Sequence, residues 1–294
     1  MVFFAWVLGV LLRASTALAV TFAPTVVDIS VLPGEQASTD FVVENSSDVE
    51  KDYLVSLYDV TLNSSLESPE FAPLPQSVSS WVSVDTYAFT LDSGASRVLT
   101  LTVAPPATTN DDSVVVGLVI REHAGDNGIA VTSGVTSLVF ITVGNPETNA
   151  EIVTFAAVPR ITDGLHTTFS ATVRNGGDRV VQPYGTLQIT NTFGGVVEEI
   201  DINPSLYRVP TNDEREFTVQ SGEEERAGFL HELWREVAQH RVGVFTARLV
   251  AAPYPGADAT LYATTRFVVL PWRFAVVLLV LGSALTVMWR RNRW

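Results

Sequence analysis

The segment FLHELWREVAQHR, residues 229–241, carries two histidines and two glutamates within one predicted helix. Histidine and carboxylate side chains are common zinc ligands and common acids and bases in hydrolytic enzymes. Glu232, Glu236 and His240 follow one another at i, i+4 and i+8, so they would share one face of this helix. If that face lined a cleft, the three side chains would form the site of a metal-dependent enzyme.

The spacing of these residues argues against a metal site. His231 and His240 are nine residues apart, which places them on opposite faces of a helix. The metalloprotease motif H-E-x-x-H fails because Arg235 stands where the second histidine is required. Solvated charges that pair at i,i+4 explain Glu232 and Glu236 equally well. The chain also lacks a G-x-S-x-G motif and a glycine-rich phosphate loop. We therefore predict no catalytic residue, no metal and no cofactor.

The helix itself is predicted over 223–241. Ser221 can cap its first turn, and Gly243 follows its last turn as a stop signal. An apolar stripe along one side indicates that the helix packs on a β-sheet scaffold. It either covers a sheet edge or presents a polar surface to a partner. The candidate contact residues on that surface are His231, Arg235 and Gln239.

Strands dominate the rest of the chain. RVLTLTV (97–103), TFSATVRN (168–175) and VFTARLV (244–250) alternate apolar with polar residues, the pattern of half-buried antiparallel strands. Turn sequences such as Asp126-Asn127-Gly128 separate these runs. Many short strands at this spacing predict an all-β fold made of immunoglobulin-like β-sandwiches.

A short internal repeat predicts two sandwiches in tandem. VENSSD (43–48) and VRNGGD (173–178) share the frame V-x-N-x-x-D, and each follows a strand pattern at a similar depth. The predicted organisation is a first sandwich over 21–145, a linker over 146–150 and a second sandwich over 151–270 that contains the helix. Each sandwich has the size of a seven-stranded immunoglobulin-like domain.

The two ends of the chain are predicted to be targeting and anchoring segments. Residues 1–19 have the apolar core of a signal peptide, and Ala17 and Ala19 fit the small-residue cleavage pattern. Residues 271–289 predict a single transmembrane helix, followed by a cytoplasmic tail over 290–294. Its flanking aromatic and basic residues are Trp272, Arg273, Trp289, Arg290, Arg291 and Arg293. This topology predicts a single-pass protein of the cell membrane with an exported ectodomain.

Composition narrows the possible partners. The net charge is −14, which disfavours a nucleic-acid partner because phosphate binding requires basic patches. There is no cysteine, so neither disulfides nor thiolate metal sites can form. A long loop over 63–80 carries Phe71, which either covers the rim of the first sandwich or contacts a partner.

Several stretches resemble bacterial surface proteins of the WxL-interacting type. They are SVLPGEQASTDFVVENSSDVEKDYLVSLYDV, FTLDSGASRVLTLTVAPP, DSVVVGLVIRE and VGVFTARLVAAPYPGADATLYATTRFVVLPWR. The resemblance implies a signal peptide, two immunoglobulin-like domains, one C-terminal helix and binding of peptidoglycan or partner proteins.

Two functions remain open beside the disfavoured enzyme. The first is a non-enzymatic, membrane-anchored protein of the cell surface that binds cell-wall polymer or another surface protein in adhesion. The alternative is an export-side assembly or chaperone-like factor that acts by β-strand pairing, with strands such as 259–269 as exposed edges.

Overall fold

The computed structural model describes residues 20–63, 69–123, 134–162, 166–222, 243–270 and 272–291, without the side chains of 272–275 and 278. These residues form two compact units that divide between Asn145 and Pro146, except that the segment Leu62–Pro69 is grouped with the second unit. Both units are built almost entirely of β-strands, as the alternating sequence pattern predicts.

The first unit contains ten described strands and one short helix, α1. Their bounds are β1 Thr21–Ala23, β2 Val26–Val31, β3 Ala37–Glu44, β4 Lys51–Thr61, β5 Glu70–Pro73, α1 Gln76–Ser79, β6 Val82–Val84, β7 Ala88–Leu91, β8 Ser96–Val103, β9 Asp112–Glu122 and β10 Gly134–Val143. One sheet has the order β1-β3-β8-β6. The other has the order β2-β10-β9-β4-β5, with β7 also paired to β4.

The second unit contains eight described strands and the helix α2. Their bounds are β11 Ala150–Val158, β12 Ile161–Thr162, β13 Thr167–Asn175, β14 Tyr184–Thr190, β15 Val196–Asp201, β16 Asp213–Ser221, β17 Gly243–Ala252, β18 Leu261–Val269 and α2 Trp272–Arg291. One sheet has the order β11-β13-β16, and the other has the order β12-β18-β17-β14-β15.

Each unit buries its own apolar core between its two sheets. In the first unit Phe41 and Leu101 are fully buried, and in the second unit Phe169, Phe245 and Phe267 are almost fully buried. These side chains alternate with solvent-facing residues along their strands, which leaves one face of each sheet for the core. The prediction of two immunoglobulin-like β-sandwiches is confirmed.

Buried asparagines shape corresponding turns in the two units. The side-chain amide of Asn45 donates to the carbonyl groups of Val49 and Leu91, at 2.8 and 3.0 Å. That of Asn175 donates to Arg179 and Val209, at 2.8 and 3.2 Å. Both residues come from the V-x-N-x-x-D repeat and both are fully inaccessible to solvent. The repeat is thus a structural device, since each amide satisfies carbonyls that would otherwise be buried without partners.

A third asparagine plays the same part outside the repeat. The amide of Asn203 donates to the carbonyls of Pro183 and Tyr207, and its side-chain oxygen accepts the Tyr207 amide at 2.8 Å. The frame V-x-N-x-x-D did not identify Asn203, because Asp201 and Leu206 stand where the frame requires valine and aspartate. Like the repeat asparagines, Asn203 nevertheless binds the carbonyl group four residues downstream.

The predicted membrane anchor is contradicted. Across the ranges that the structure describes, no helix has both the length and the apolar character needed to cross a membrane. Trp289, Arg290 and Arg291 lie at the end of α2 and are exposed to solvent. Trp272 and Arg273 lie in its first turn, where side chains are not described. Ala17, Ala19 and Arg293 lie outside the described residues, and so does the predicted helix over 223–241.

Candidate functional site: the outer edge of the last strand

Strand β18 is the last strand of the second unit, and its two edges differ. On the inner side all nine residues pair antiparallel with β17, from Leu261 opposite Ala251 to Val269 opposite Gly243. On the outer side only Val268 and Val269 pair with β12, in parallel orientation. The outer edge from Leu261 to Phe267 therefore has no strand partner among the described residues.

The hydrogen bonds to β12 show which backbone groups face this outer edge. The Val268 amide donates to the Arg160 carbonyl and the Leu270 amide to the Thr162 carbonyl, both at 2.8 Å. Backbone groups alternate between the two edges of a strand, so every second residue faces the same way. The three residues that share the direction of Val268 are Tyr262, Thr264 and Arg266. Their amide and carbonyl groups thus point at the uncovered edge.

The sequence of β18 explains why this strand is firmly held although its edge is uncovered. Leu261, Phe267 and Val269 are buried and face the core, while Tyr262 is 59% exposed on the opposite face. The Phe267 ring packs at 5.4 Å from Phe169 and at 5.5 Å from Phe245, measured between centroids. Aromatic and β-branched residues favour this extended conformation. The edge is therefore presented by a rigid element.

Strand β11 of the opposite sheet lies beside β18 without pairing to it. It pairs with β13 and also contacts β18 directly, without a backbone ladder between them. Ile152 and Phe155 of β11 are partly buried and pack against the core of the second unit. The side of the uncovered edge that faces the interior is thus apolar.

The corresponding strand of the first unit is largely covered. Strand β10 pairs in parallel with β2 over six residues, from Leu138 opposite Val26 to Val143 opposite Val31. The Leu138 amide donates to the Thr25 carbonyl at 2.9 Å. Only the beginning of β10, residues 134–137, extends past β2. The first unit thus offers a shorter uncovered segment than the second.

No ion pair in the described part of the chain involves a residue of β18. Lys51 pairs with Glu122 in the first unit, and Arg174 pairs with Glu151 and Glu214 in the second. A hydrogen bond from Arg174 to Glu214 and the attraction between their charges raise the pKa of this guanidinium. Burial, with a further contribution from Glu122, raises the pKa of the Tyr53 phenol.

The chemical alternatives considered from the sequence find no described counterpart. Among the residues that the structure describes, no group of three or more histidine, aspartate or glutamate side chains is placed to hold a metal ion. Glu232, Glu236 and His240 lie outside those residues, and so do His231, Arg235 and Gln239.

Phe71 is described, and it lies on the outer face of a sheet in the first unit. It belongs to β5, is 44% exposed, and its ring meets that of Tyr58 edge-on at a centroid distance of 6.2 Å. A Cβ atom added to Gly117 would come within 2.8 Å of the Phe71 ring and within 2.9 Å of Val60. The glycine thus makes room for Phe71 on the sheet.

Comparison with known proteins finds similarity only at the level of fold. No protein family model matches the sequence, and no curated protein matches it. Solved structures with a similar fold include the class 5 fimbriae chaperone CfaA, with 11% identity, a TM-score of 0.42, and coverage of 84% of this chain and 98% of CfaA. The Salmonella enterica SafB chaperone with its SafA pilin is 12% identical, with a TM-score of 0.39 and coverage of 84% of this chain and 96% of that chain. The periplasmic chaperone SfaE is 11% identical, with a TM-score of 0.35 and coverage of 85% of this chain and 100% of SfaE.

These findings correct several predictions made from the sequence. The similar structures named above are chaperones, and the resemblance to WxL-interacting surface proteins was wrong. The membrane-anchored adhesion protein, the membrane and cell-wall polymer as partners, and the location in the cell membrane are contradicted as well. The short motifs that carried the resemblance mark strand starts and turns, which many unrelated β-sandwiches share.

Proposed function

We propose that this protein is a non-enzymatic assembly or chaperone-like factor of the export side that holds an extended segment of a client protein by β-strand pairing. The observation that carries the proposal is the uncovered outer edge of β18. There Tyr262, Thr264 and Arg266 each direct one backbone donor and one acceptor away from β17. An extended peptide that pairs with such an edge gains main-chain hydrogen bonds whatever its sequence.

The rigid setting of β18 favours binding. Full pairing with β17 and the buried Phe267 and Val269 hold the strand in its extended conformation before any client arrives. Little conformational entropy is then lost on this side of the complex, and the ordering cost falls mainly on the client.

The class of client is part of the same proposal. The SafB chaperone is in complex with a pilin in its solved structure. We propose for this chain a client of that kind, a subunit of an assembled surface structure. The edge of β18 would pair with an extended segment of such a client or of any other protein.

Site-directed photo-crosslinking in producing cells tests this function. A photoreactive residue at Tyr262 is combined with either Thr264→Pro or Thr264→Ala. Proline removes the outward amide at the centre of the edge without removing a hydrogen bond to β17, whereas alanine keeps that amide. We expect a crosslinked client in the alanine background and its loss in the proline background.

Two controls keep the result interpretable. A photoreactive residue at the exposed Thr218, on the edge strand β16, reports non-specific crosslinking. Circular dichroism and thermal unfolding verify that Thr264→Pro is folded. If the folded proline variant crosslinks the client as efficiently as the alanine variant, strand pairing at β18 is not the mode of binding.

A further inference from the structure

We infer that the client segment recognised by β18 alternates apolar with acidic residues, an inference that rests on the function proposed above. Successive residues of a paired strand point to opposite faces of the sheet, so a client residue meets either the solvent-facing side or the interior side of the edge. The two sides of this edge differ in charge and polarity.

The solvent-facing side is cationic. Arg266 belongs to the edge strand, and Arg248 lies opposite Thr264 on β17, with its guanidinium 5.9 Å from the centre of the Tyr262 ring. Neither β17 nor β18 contains an aspartate or a glutamate. The chain as a whole has 32 acidic and 18 basic residues, so this strand pair has the opposite charge balance.

The described part of the second unit leaves these two arginines without a carboxylate partner. Its ion pairs involve Arg174, not Arg248 or Arg266. In register, Arg248 lies opposite Gln188 of β14, and Gln188 lies opposite Glu199 of β15. Two strand spacings, about 9–10 Å between backbones, separate Arg248 from that glutamate, and no ion pair joins the two in the described part of the chain. A client strand adjacent to β18 would place an acidic residue one strand spacing, about 4.8 Å, from Arg266 and two strand spacings from Arg248.

The interior-facing side of the edge is apolar. Leu261 and Phe267 are buried, and Ala263 between them packs against the same core. Ile152 and Phe155 of the neighbouring β11 add apolar surface on that side. Client side chains that point inward would leave water there, and a polar side chain would lose hydration without gaining a partner. The inward positions of the client therefore favour apolar residues.

The uncovered length of β18 sets the length of the client segment that can pair with it. Tyr262 and Arg266 are the first and last of the three outward-facing residues, and they lie about 14 Å apart along the strand. Beyond them β12 occupies the edge at Val268. A client of about five to seven residues fills this space.

Binding of two labelled heptapeptides to the full chain tests the inference. One peptide alternates valine with aspartate and the other alternates valine with lysine, and binding is followed by fluorescence anisotropy. We expect the aspartate peptide to bind about tenfold more tightly at low salt, and this preference to shrink in about 0.5 M salt. The double variant Arg248→Glu and Arg266→Glu should reverse the preference, whereas Arg97→Glu, in the first unit, should leave it unchanged.

The outcomes separate the inference from the function on which it rests. If both peptides bind equally and Thr264→Pro abolishes both, strand pairing stands and the acidic preference is overturned. The preference is also overturned if it survives the double charge reversal. If neither peptide binds, or if binding is indifferent to Thr264→Pro in a folded protein, both the inference and the proposed function fail.

Discussion

The two units of this protein treat the edge of their last strand differently. In the first unit β2 covers six residues of β10, while in the second unit β12 covers only two residues of β18. Exposed edges invite pairing with other chains, and most proteins cover them or place charges on them. The comparison teaches that one architecture, used twice, can close an edge in one copy and present it in the other.

Strand β16, at the edge of the other sheet of the second unit, differs from β18 in its charged residues. It is also an edge strand, but Asp213, Glu214, Arg215 and Glu216 follow one another at its start. Such a charge cluster discourages pairing with an apolar strand. Strand β18 carries Arg266 alone. The second unit thus carries a charge cluster on one edge strand and a single charged residue on β18.

The largest expected effect is the loss of a buried aromatic ring, either in β18 or in the core of the first unit. Phe267→Ala should lower the free energy of unfolding by about 3–5 kcal/mol, because it removes a buried ring that packs on Phe169 and Phe245. Phe41→Ala, which removes a buried ring packed on Phe22 in the first unit, should have a similar cost. Urea unfolding followed by fluorescence measures both. A cost below about 1 kcal/mol for Phe267→Ala would show that β18 is not held as described.

The two repeat asparagines should behave alike. Asn45→Ala and Asn175→Ala each remove an amide that binds three carbonyls, and each should cost about 2–3 kcal/mol. Chemical denaturation of the two single variants checks this. If the two losses of unfolding free energy differ by more than about 1.5 kcal/mol, the two asparagines do not stabilise their units equally.

The packing of Phe71 on Gly117 is a feature of the first unit. Gly117→Ala should cost about 1–3 kcal/mol, because the added methyl group meets the Phe71 ring and Val60. The double variant with Phe71→Ala should recover part of this loss, as a double-mutant cycle would measure. An additive result would show that the ring does not lie over the glycine.

Amide hydrogen exchange compares the two edges directly. The amides of Tyr262, Thr264 and Arg266 should exchange at least about tenfold faster than those of Phe140 and Thr142, whose strand is paired with β2. Exchange followed by NMR or mass spectrometry measures this ratio. Equal protection at the two edges would mean that the β18 edge is covered in solution.

The smallest effect is a pH dependence confined to the first unit. Burial of Tyr53 raises the pKa of its phenol above the ordinary value near 10, so the neutral form favours the folded state. This contribution is complete below pH 10 and is lost as the pH rises through the folded-state pKa. Between pH 8 and 11 the free energy of unfolding should therefore fall less steeply in Tyr53→Phe than in the parent chain. The difference between the two slopes should stay under about 1.4 kcal/mol per pH unit. Parallel curves would exclude the phenol as the cause.

Much of the fold was predictable from local pattern. RVLTLTV, TFSATVRN and VFTARLV alternate with the period of a strand, and these segments became β8, β13 and β17. The region 259–269 was considered as an exposed edge, and in the structure β18 lies between β17 and the short β12. Nothing local marked these partners or which residues of β18 face outward. The absence of acidic residues from β17 and β18 was the available signal for Arg248 and Arg266.

The resemblance to surface proteins misled because turns and strand starts recur in unrelated sandwiches. Phe71 was predicted either to cover the rim or to contact a partner, and its place over Gly117 depends on two strands that are distant in the sequence.

By itself the sequence determined the two β-sandwiches, since strand periodicity and turn chemistry act over a few residues. It also marked Asn45 and Asn175 by their repeated frame, while their burial and their carbonyl partners were visible only in the structure. Only the tertiary structure decided how much of β10 and β18 is covered. That coverage depends on parallel pairing between the beginning and the end of each unit, where long-range register and packing, rather than local preference, set the length of the contact.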